Sequence, residues 1–434
     1  MKFPGQRKSK HFFPVESRDP LMSELSLLNK PIASHICGID QVLVDIEAHV
    51  PDSFLEKYAL SKGHSMLIAP DKAAAIYQEL TEQNLIVSEF AGGTIGNTLH
   101  NYSVLSDDRS VLFGVMNETI RVGSSSYRYL CNTSSKVDLN YLQPAAGSIG
   151  QCITLIAPDG ERSFAINKGV MDLLEVGHLD QTLIQTGSAL VISAYLVRCE
   201  DHEPMKATTL QAVAWAKAAG VPVVLTMGTK FIVEDLKDWW QEFIRDNVTV
   251  VAMNEDEAQA LTGEADPLLA CEKVLEWTDM VLCTAGPVGL YLASYVDDEQ
   301  KRETTRQLLP GAIPEFNHFE FSRPMRKSDC AVPVKVYTHI SPYMGGPDRI
   351  KNTNGAGDGA LAAVLHDMAA NDYHRLNVPG SSKHAERFLA YSSLSQISKY
   401  ANRVSFEVLV QHSPRLSRGL PEREDSLEEV YWDQ

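Results

Sequence analysis

With 434 residues, 44% of them hydrophobic, the chain can bury a large core, which excludes disorder as its main state and allows one large α/β domain or two to three smaller ones. The formal net charge of −17, from 39 Lys and Arg against 56 Asp and Glu, excludes nonspecific nucleic-acid or anionic-membrane binding, which needs a basic surface, and favours a small-molecule substrate. The cysteines, 7 in number, stand singly with no CxxC pair and read as reduced, structural thiols.

The N-terminus is basic, with Arg7, Lys8 and Lys10, but no apolar run follows it, and no segment nears the roughly 18–20 apolar residues that span a bilayer. The expected location is the cytoplasm, with no membrane contact. Residues 41–50 and 151–156, the latter ahead of Pro158-Asp159-Gly160, read as strands and as parts of a small β lid with segments at about 41–68, 86–92 and 125–168. Residues 189–197 form a buried apolar run, 208–219 a helical pattern, 221–226 and 248–253 further strands, 255–261 a helix and 280–284 another strand. This alternation predicts an α/β fold: a doubly wound, mainly parallel sheet with helices on both faces, plus the small β-sheet lid. From about 297 to 351 the chain is rich in Pro, charge and aromatics and longer than an ordinary connection, so it is expected to be an insertion with structure of its own in a single domain over 1–434. The acidic tail 422–434 reads as solvated chain.

Several stretches carry chemistry. Ala91-Gly92-Gly93-Thr94-Ile95-Gly96-Asn97 precedes a helical pattern through Leu105. Gly92 and Gly93 permit close backbone contact with a sugar, and the Asn97 amide both donates to and accepts from a hydroxyl, although the same residues also suit a plain turn. Asn254 to Glu257 follow the 248–253 strand and suit an N-cap with Glu257 in the capping-box position, a role that can coexist with ligand binding. Thr284-Ala285-Gly286-Pro287-Val288-Gly289 leaves the carboxyl end of the next strand, where open α/β sheets place ligands. Arg198 closes the 189–197 run and reads as a ligand donor or as a surface Arg.

The strongest signal is Asn352-Thr353-Asn354-Gly355-Ala356-Gly357-Asp358, which runs straight into the small and apolar, helix-like Gly359 to His366. Glycines therefore meet a helix N-terminus, where unpaired N–H groups and the positive end of the dipole can hold the charge of a phosphoryl group in transfer. Gly355, Ala356 and Gly357 are small enough to let that anion approach, and Asp358 can face an incoming hydroxyl as general base. An ordinary Gly-rich turn with Asp358 as N-cap is the other reading. No GxxxxGK[ST] loop, HRD or DFG set or HExxH occurs, and the 13 histidines show no metal-ligand spacing.

Together these motifs resemble those of the ribokinase and adenosine kinase family, from about residue 38 to 404 and in the same order. The resemblance implies that Asp358 is the catalytic base, that Gly355, Ala356 and Gly357 form the anion hole, and that Gly92, Gly93 and Asn97 line a ribose pocket. It makes Asp45, in the stretch Gly38 to Ile46 ahead of Phe54-Leu55-Glu56-Lys57-Tyr58, the ligand of the ribose 2′- and 3′-hydroxyls. Asp40 is a second candidate from the same turn, and a strand or turn aspartate is the alternative for both. Asn254 and Glu257 would place Mg²⁺ through water, while Thr284, Gly286, Gly289, Thr353, Asn354 and Asn402 would meet the nucleotide. Arg198 would reach the purine or a phosphate. ATP is the implied donor, Mg²⁺ the implied metal and K⁺ a further ion, with Asn352 standing where the family commonly has Asp; a homodimer is implied too. The tail 413–425, the opening Phe3-Pro4-Gly5 and the insertion before Asn352 resemble bacterial members that act on inosine and guanosine, which implies transfer of the γ-phosphate to the nucleoside 5′-hydroxyl, giving IMP or GMP. Adenosine or sugar phosphorylation within the same family, and a non-catalytic nucleoside-binding regulator, remain alternatives. A dinucleotide oxidoreductase lacks its GxGxxG fingerprint.

Overall fold

A computed structural model describes residues 33–106, 108–198, 202–343 and 349–420. The opening Phe3 to Lys10, Cys199 and the acidic tail 422–434 lie outside the described residues.

Apolar, β-branched runs build a ten-stranded main sheet among the described residues. Its principal order is Pro333–Ile340, Gly289–Asp297, Met280–Ala285, Val250–Asn254, Val223–Thr226, Ala189–Ser193, His35–Ile39, Arg109–Asn117 and Val137–Asp138. From Met280–Ala285 through Val137–Asp138 every neighbour pair is parallel, and the last two strands at the other edge run antiparallel. Side chains alternate between two cores: in His35–Ile39, Ile36 joins one, while Cys37 and Ile39 join the other. Helices Thr94–Ser106, Ala356–Asn377 and Leu394–Leu409 cover the first face, and Met205–Ala218 and Lys237–Asn247 cover the second.

A second, five-stranded sheet has the order Ser65–Leu67, Arg162–Asn167, Gly150–Ile156, Leu43–His49 and Ile86–Ala91. In Leu43–His49 the alternation is clean: Val44, Ile46 and Ala48 are buried, while Leu43, Asp45 and Glu47 are partly exposed on the other face. The α/β class, the mainly parallel sheet and the smaller sheet thus match the expected fold.

Three local expectations change. Within 189–197 the strand stops at Ser193 and Ala194–Val197 winds into a 3₁₀ turn, a break that an unbroken apolar run cannot signal. Within 125–168, Val137–Asp138 and Leu142–Ala145 pair with Arg109–Asn117, so only Gly150–Ile156 and Arg162–Asn167 join the smaller sheet. Within 297–351, Pro333–Ile340 pairs with Gly289–Asp297 as the edge of the main sheet, because its β-branched and aromatic residues Val334, Val336, Tyr337, Thr338 and Ile340 suit a strand. Among the described residues no helix is long and apolar enough to cross a membrane.

Candidate active site

The chain enters the main sheet at His35–Ile39, builds one side, then crosses to Ala189–Ser193 on the other, so these adjacent parallel strands form the topological switch point. Ligands in open α/β sheets collect in the crevice outside the carboxyl ends of such strands. Asp40 directly follows His35–Ile39, Asn254 ends Val250–Asn254, and Thr284 lies at the end of Met280–Ala285, so three candidates share that rim.

Asp358 occupies the third position of the 22-residue helix Ala356–Asn377. It is therefore not the N-cap; Gly355 is, in the left-handed conformation with φ 78°, where a side chain would be strained. No side-chain cap closes this helix start among the described residues, which leaves its first amide N–H groups to a ligand. Asn97, on Thr94–Ser106, donates from Nδ2 to Asp358 Oδ2 at 3.3 Å. Burial first, then the charges of Asp40, Asp45 and Glu257, push the Asp358 carboxyl up to about 7, against the Asn97 hydrogen bond. Dense protein surrounds the group, yet the residue keeps some solvent access.

Asp45 sits on Leu43–His49 opposite Phe90 and Cys152 of the neighbouring strands and lies directly over Gly92, where a Cβ would meet its Cγ at 2.7 Å. Burial raises its carboxyl to about 6, opposed chiefly by Arg415. Asp40 is committed differently: it is 2% exposed, and its Oδ2 accepts the Gly96 N–H at 2.7 Å, anchoring the start of the Asn97 helix. Its carboxyl is pushed up to about 7 by burial, although the Gly96, Ile95 and Gln41 amides and Arg415 oppose the shift. Gly93 adopts φ 89° close over Asp40.

Asn254 and Glu257 form a reciprocal capping box on Glu255–Thr262: Glu257 N–H donates to Asn254 Oδ1 at 2.8 Å, and Asn254 N–H to Glu257 Oε2 at 2.9 Å. Glu257 is buried, and desolvation raises its carboxyl to about 7 with Asp256 and Glu255 adding to the effect. In the Thr284 to Gly289 loop, Gly286 and Gly289 adopt φ 43° and 116°. Asn402 donates from Nδ2 to Ser341 O at 2.9 Å, just past the Ile340 carbonyl that abuts Gly289, so helix Leu394–Leu409 supports that loop. Asn354 lies 3.5 Å from Glu47 of the smaller sheet, and Thr353 is exposed beside it. Arg198 is exposed and stacks on Phe231, 4.7 Å from the ring centroid; among the described residues no contact ties it to the carboxylate cluster.

Two participants were not singled out from the sequence. Arg415, 4% exposed, donates from Nε to Asn97 Oδ1 at 2.9 Å, from Nη2 to Gly92 O at 3.1 Å and from Nη1 to Thr133 Oγ1 at 2.6 Å. It lies in an irregular segment after the last helix, so no periodicity could have flagged it. Tyr195, in the 3₁₀ turn after Ala189–Ser193, lies within electrostatic reach of Glu257, Cys152 and Asp358, and burial holds its hydroxyl protonated well above the usual range.

This constellation, a poised carboxylate at an uncapped helix start beside a second carboxylate and an amide, suits transfer of an anionic group to an alcohol. The model of the pfkB family carbohydrate kinases matches residues 63–308, more than half of the chain. The chain belongs to the pfkB family. Over 433 residues, 100% of both chains, it is 62% identical to the guanosine-inosine kinase of Escherichia coli (strain K12). It is 24% identical over 235 residues to adenosine kinase 2 of Arabidopsis thaliana, covering 52% of this chain and 64% of that one. The adenosine kinase structure from Sinorhizobium meliloti superposes with a TM-score of 0.63 at 21% identity, covering 90% of this chain and 98% of that one, a likeness of fold. As a family member the chain is a phosphotransferase that uses ATP as donor. The matched family segment ends at residue 308, within the long 297–351 stretch, and Asp358 follows that stretch.

Proposed function

We propose that this chain is a purine nucleoside kinase that moves the γ-phosphate of ATP to the 5′-hydroxyl of inosine or guanosine, giving IMP or GMP. The observation that carries the substrate reading is the full-length likeness, 62% identity, to a guanosine-inosine kinase. The geometry supports the reaction type independently, through Asp358 at an uncapped helix start with Asn97 donating to it.

In this reading Asp45 accepts the ribose hydroxyls, since its partly exposed face points away from the buried side of its strand, whereas Asp40 spends its carboxylate on the Asn97 helix. Asn97 and the backbone of Gly92 and Gly93 complete the sugar pocket. The 5′-hydroxyl faces Asp358, which takes its proton, and the N–H groups at Gly355, Ala356 and Gly357 hold the charge of the migrating group. The smaller sheet acts as the lid that excludes water, and the Thr284 to Gly289 loop with Thr353, Asn354 and Asn402 borders the donor. Arg198 has no part in this scheme.

The site fits Mg²⁺ held through water rather than in a protein cage. Among the described residues no three His, Cys, Asp or Glu side chains gather to bind a metal ion. Glu257, a buried carboxylate whose proton affinity is raised, gains from a nearby cation, and its oxygens keep lone pairs beyond the capping box. Magnesium, when bound, supplies charge neutralisation on the donor phosphates. Asn352 would bring no charge to a potassium site: it is neutral, its Oδ1 accepts the Asn354 N–H at 2.9 Å and its Nδ2 donates to His412 O at 2.9 Å. A cytoplasmic homodimer completes the proposal on family likeness.

The test is a panel assay of purified protein with Mg-ATP and inosine, guanosine, adenosine or ribose, following ADP release. Product from inosine and guanosine supports the reading; turnover restricted to adenosine or ribose overturns the substrate, and binding without ADP release overturns catalysis.

A further inference from the structure

We propose that Arg415 is a positioning residue for the transfer step: it fixes the Asn97 amide so that Nδ2, not Oδ1, meets Asp358. This rests on the reading of Asp358 as the base. The physical argument is one of hydrogen-bond polarity. A guanidinium only donates, so the group facing Arg415 Nε at 2.9 Å has to be the Asn97 oxygen, and the amide nitrogen is then turned toward the Asp358 carboxylate at 3.3 Å. The reverse orientation would set the amide oxygen against a carboxylate and the amide nitrogen against a guanidinium, two repulsive contacts in a buried site.

The guanidinium itself is held rigidly. Nη1 reaches Thr133 Oγ1 at 2.6 Å, Nη2 reaches Gly92 O at 3.1 Å, and the plane lies 4.9 Å from the Tyr129 ring centroid. The main chain around it is pinned to the helix that carries Asn97: Asn101 Nδ2 donates to Pro414 O at 3.1 Å, Leu416 N–H donates to Asn101 Oδ1 at 2.7 Å, and His100 Nε2 bonds Leu416 O at 3.0 Å. On its other side Pro414 packs against Gly355, the cap of the Asp358 helix. One short segment therefore holds both the proposed base's helix and the amide that orients the base.

A double-mutant cycle on the full-length protein tests this, with turnover and KM for inosine and for ATP measured beside the melting temperature of each variant. Arg415→Gln should lower turnover at least about tenfold while the KM for ATP stays within about twofold; in an Asn97→Ala background the same change should cost less than about twofold, because the amide it orients is gone. Thr133→Val, a milder change that removes one brace of the guanidinium, should show a smaller loss that also vanishes in the Asn97→Ala background, and it decides the matter if Arg415→Gln does not fold. Equal losses in both backgrounds, or a folded Arg415→Gln with turnover within about twofold of the parent, would overturn the proposal. Failure of the underlying reading is separable: it would show as an active Asp358→Asn protein with Arg415 intact.

Discussion

Asn97 and Asp358 lie 261 positions apart in the chain, yet the amide Nδ2 of one donates to the carboxylate Oδ2 of the other at 3.3 Å. The contact joins the helix that opens after Gly92-Gly93 to the helix that opens after Gly355, and both helix starts border the rim of the main sheet. In the proposed reaction, a sugar alcohol held on the first would be delivered to the base and amides of the second.

Removing the proposed base is the most direct check. Asp358→Asn keeps the shape and can still accept from Asn97 Nδ2, so nucleoside affinity, measured by calorimetry, should be largely kept while turnover falls at least about a hundredfold. The same variant should be more stable than the parent at pH 8. The carboxyl titrates near 7 in the folded chain and near 4 when unfolded, so its favourable proton binding is fully present below about 4 and is lost as pH rises through about 7. The stability gain in urea unfolding should therefore grow between pH 5 and pH 8, reaching about 1 kcal/mol or more.

The pH dependence of kcat/KM for the nucleoside reports the free enzyme, so its acid limb should lie near 7 rather than near 4. Asp40, raised to about 7, and Asp45, raised to about 6, sit in the same cluster, and the midpoint belongs to the group. Rate should rise about tenfold per unit on the acid side; a flat profile between pH 5 and pH 8 would exclude Asp358 as the base.

Gly355 tests the anion hole without touching a charge. Its φ of 78° and the Pro414 Cα at 2.9 Å from where a Cβ would stand leave no room for alanine. Gly355→Ala should cost about 1–2 kcal/mol from the left-handed backbone alone. Because relief of the clash shifts the helix start, turnover should fall more than the KM for inosine rises.

Asp45 should separate sugar recognition from chemistry. Asp45→Asn removes one of two acceptors for a vicinal diol, so the KM for inosine should rise about tenfold, while the preference for inosine over its 2′-deoxy analogue narrows. An unchanged preference would remove Asp45 from the ribose pocket.

Sequence by itself determined the fold class, since short continuous apolar runs alternating with helical patterns specify a parallel sheet covered on both faces. Glycines beside a helix start also leave a local mark at Asn97 and Asp358 that survives without coordinates, whereas Asp45, inside a strand, is marked only by the family resemblance. Tertiary structure alone decided the rest. That Asp358 is third in its helix and Gly355 the cap, that Asp40 serves the Asn97 helix while Asp45 stays open, and that Arg198 stacks on Phe231 all depend on partners distant in the chain. Arg415 is the clearest case: it lies in an irregular segment, and its place between Gly92, Asn97 and Thr133 arises only when chain segments hundreds of residues apart pack together, which no local pattern of residues encodes.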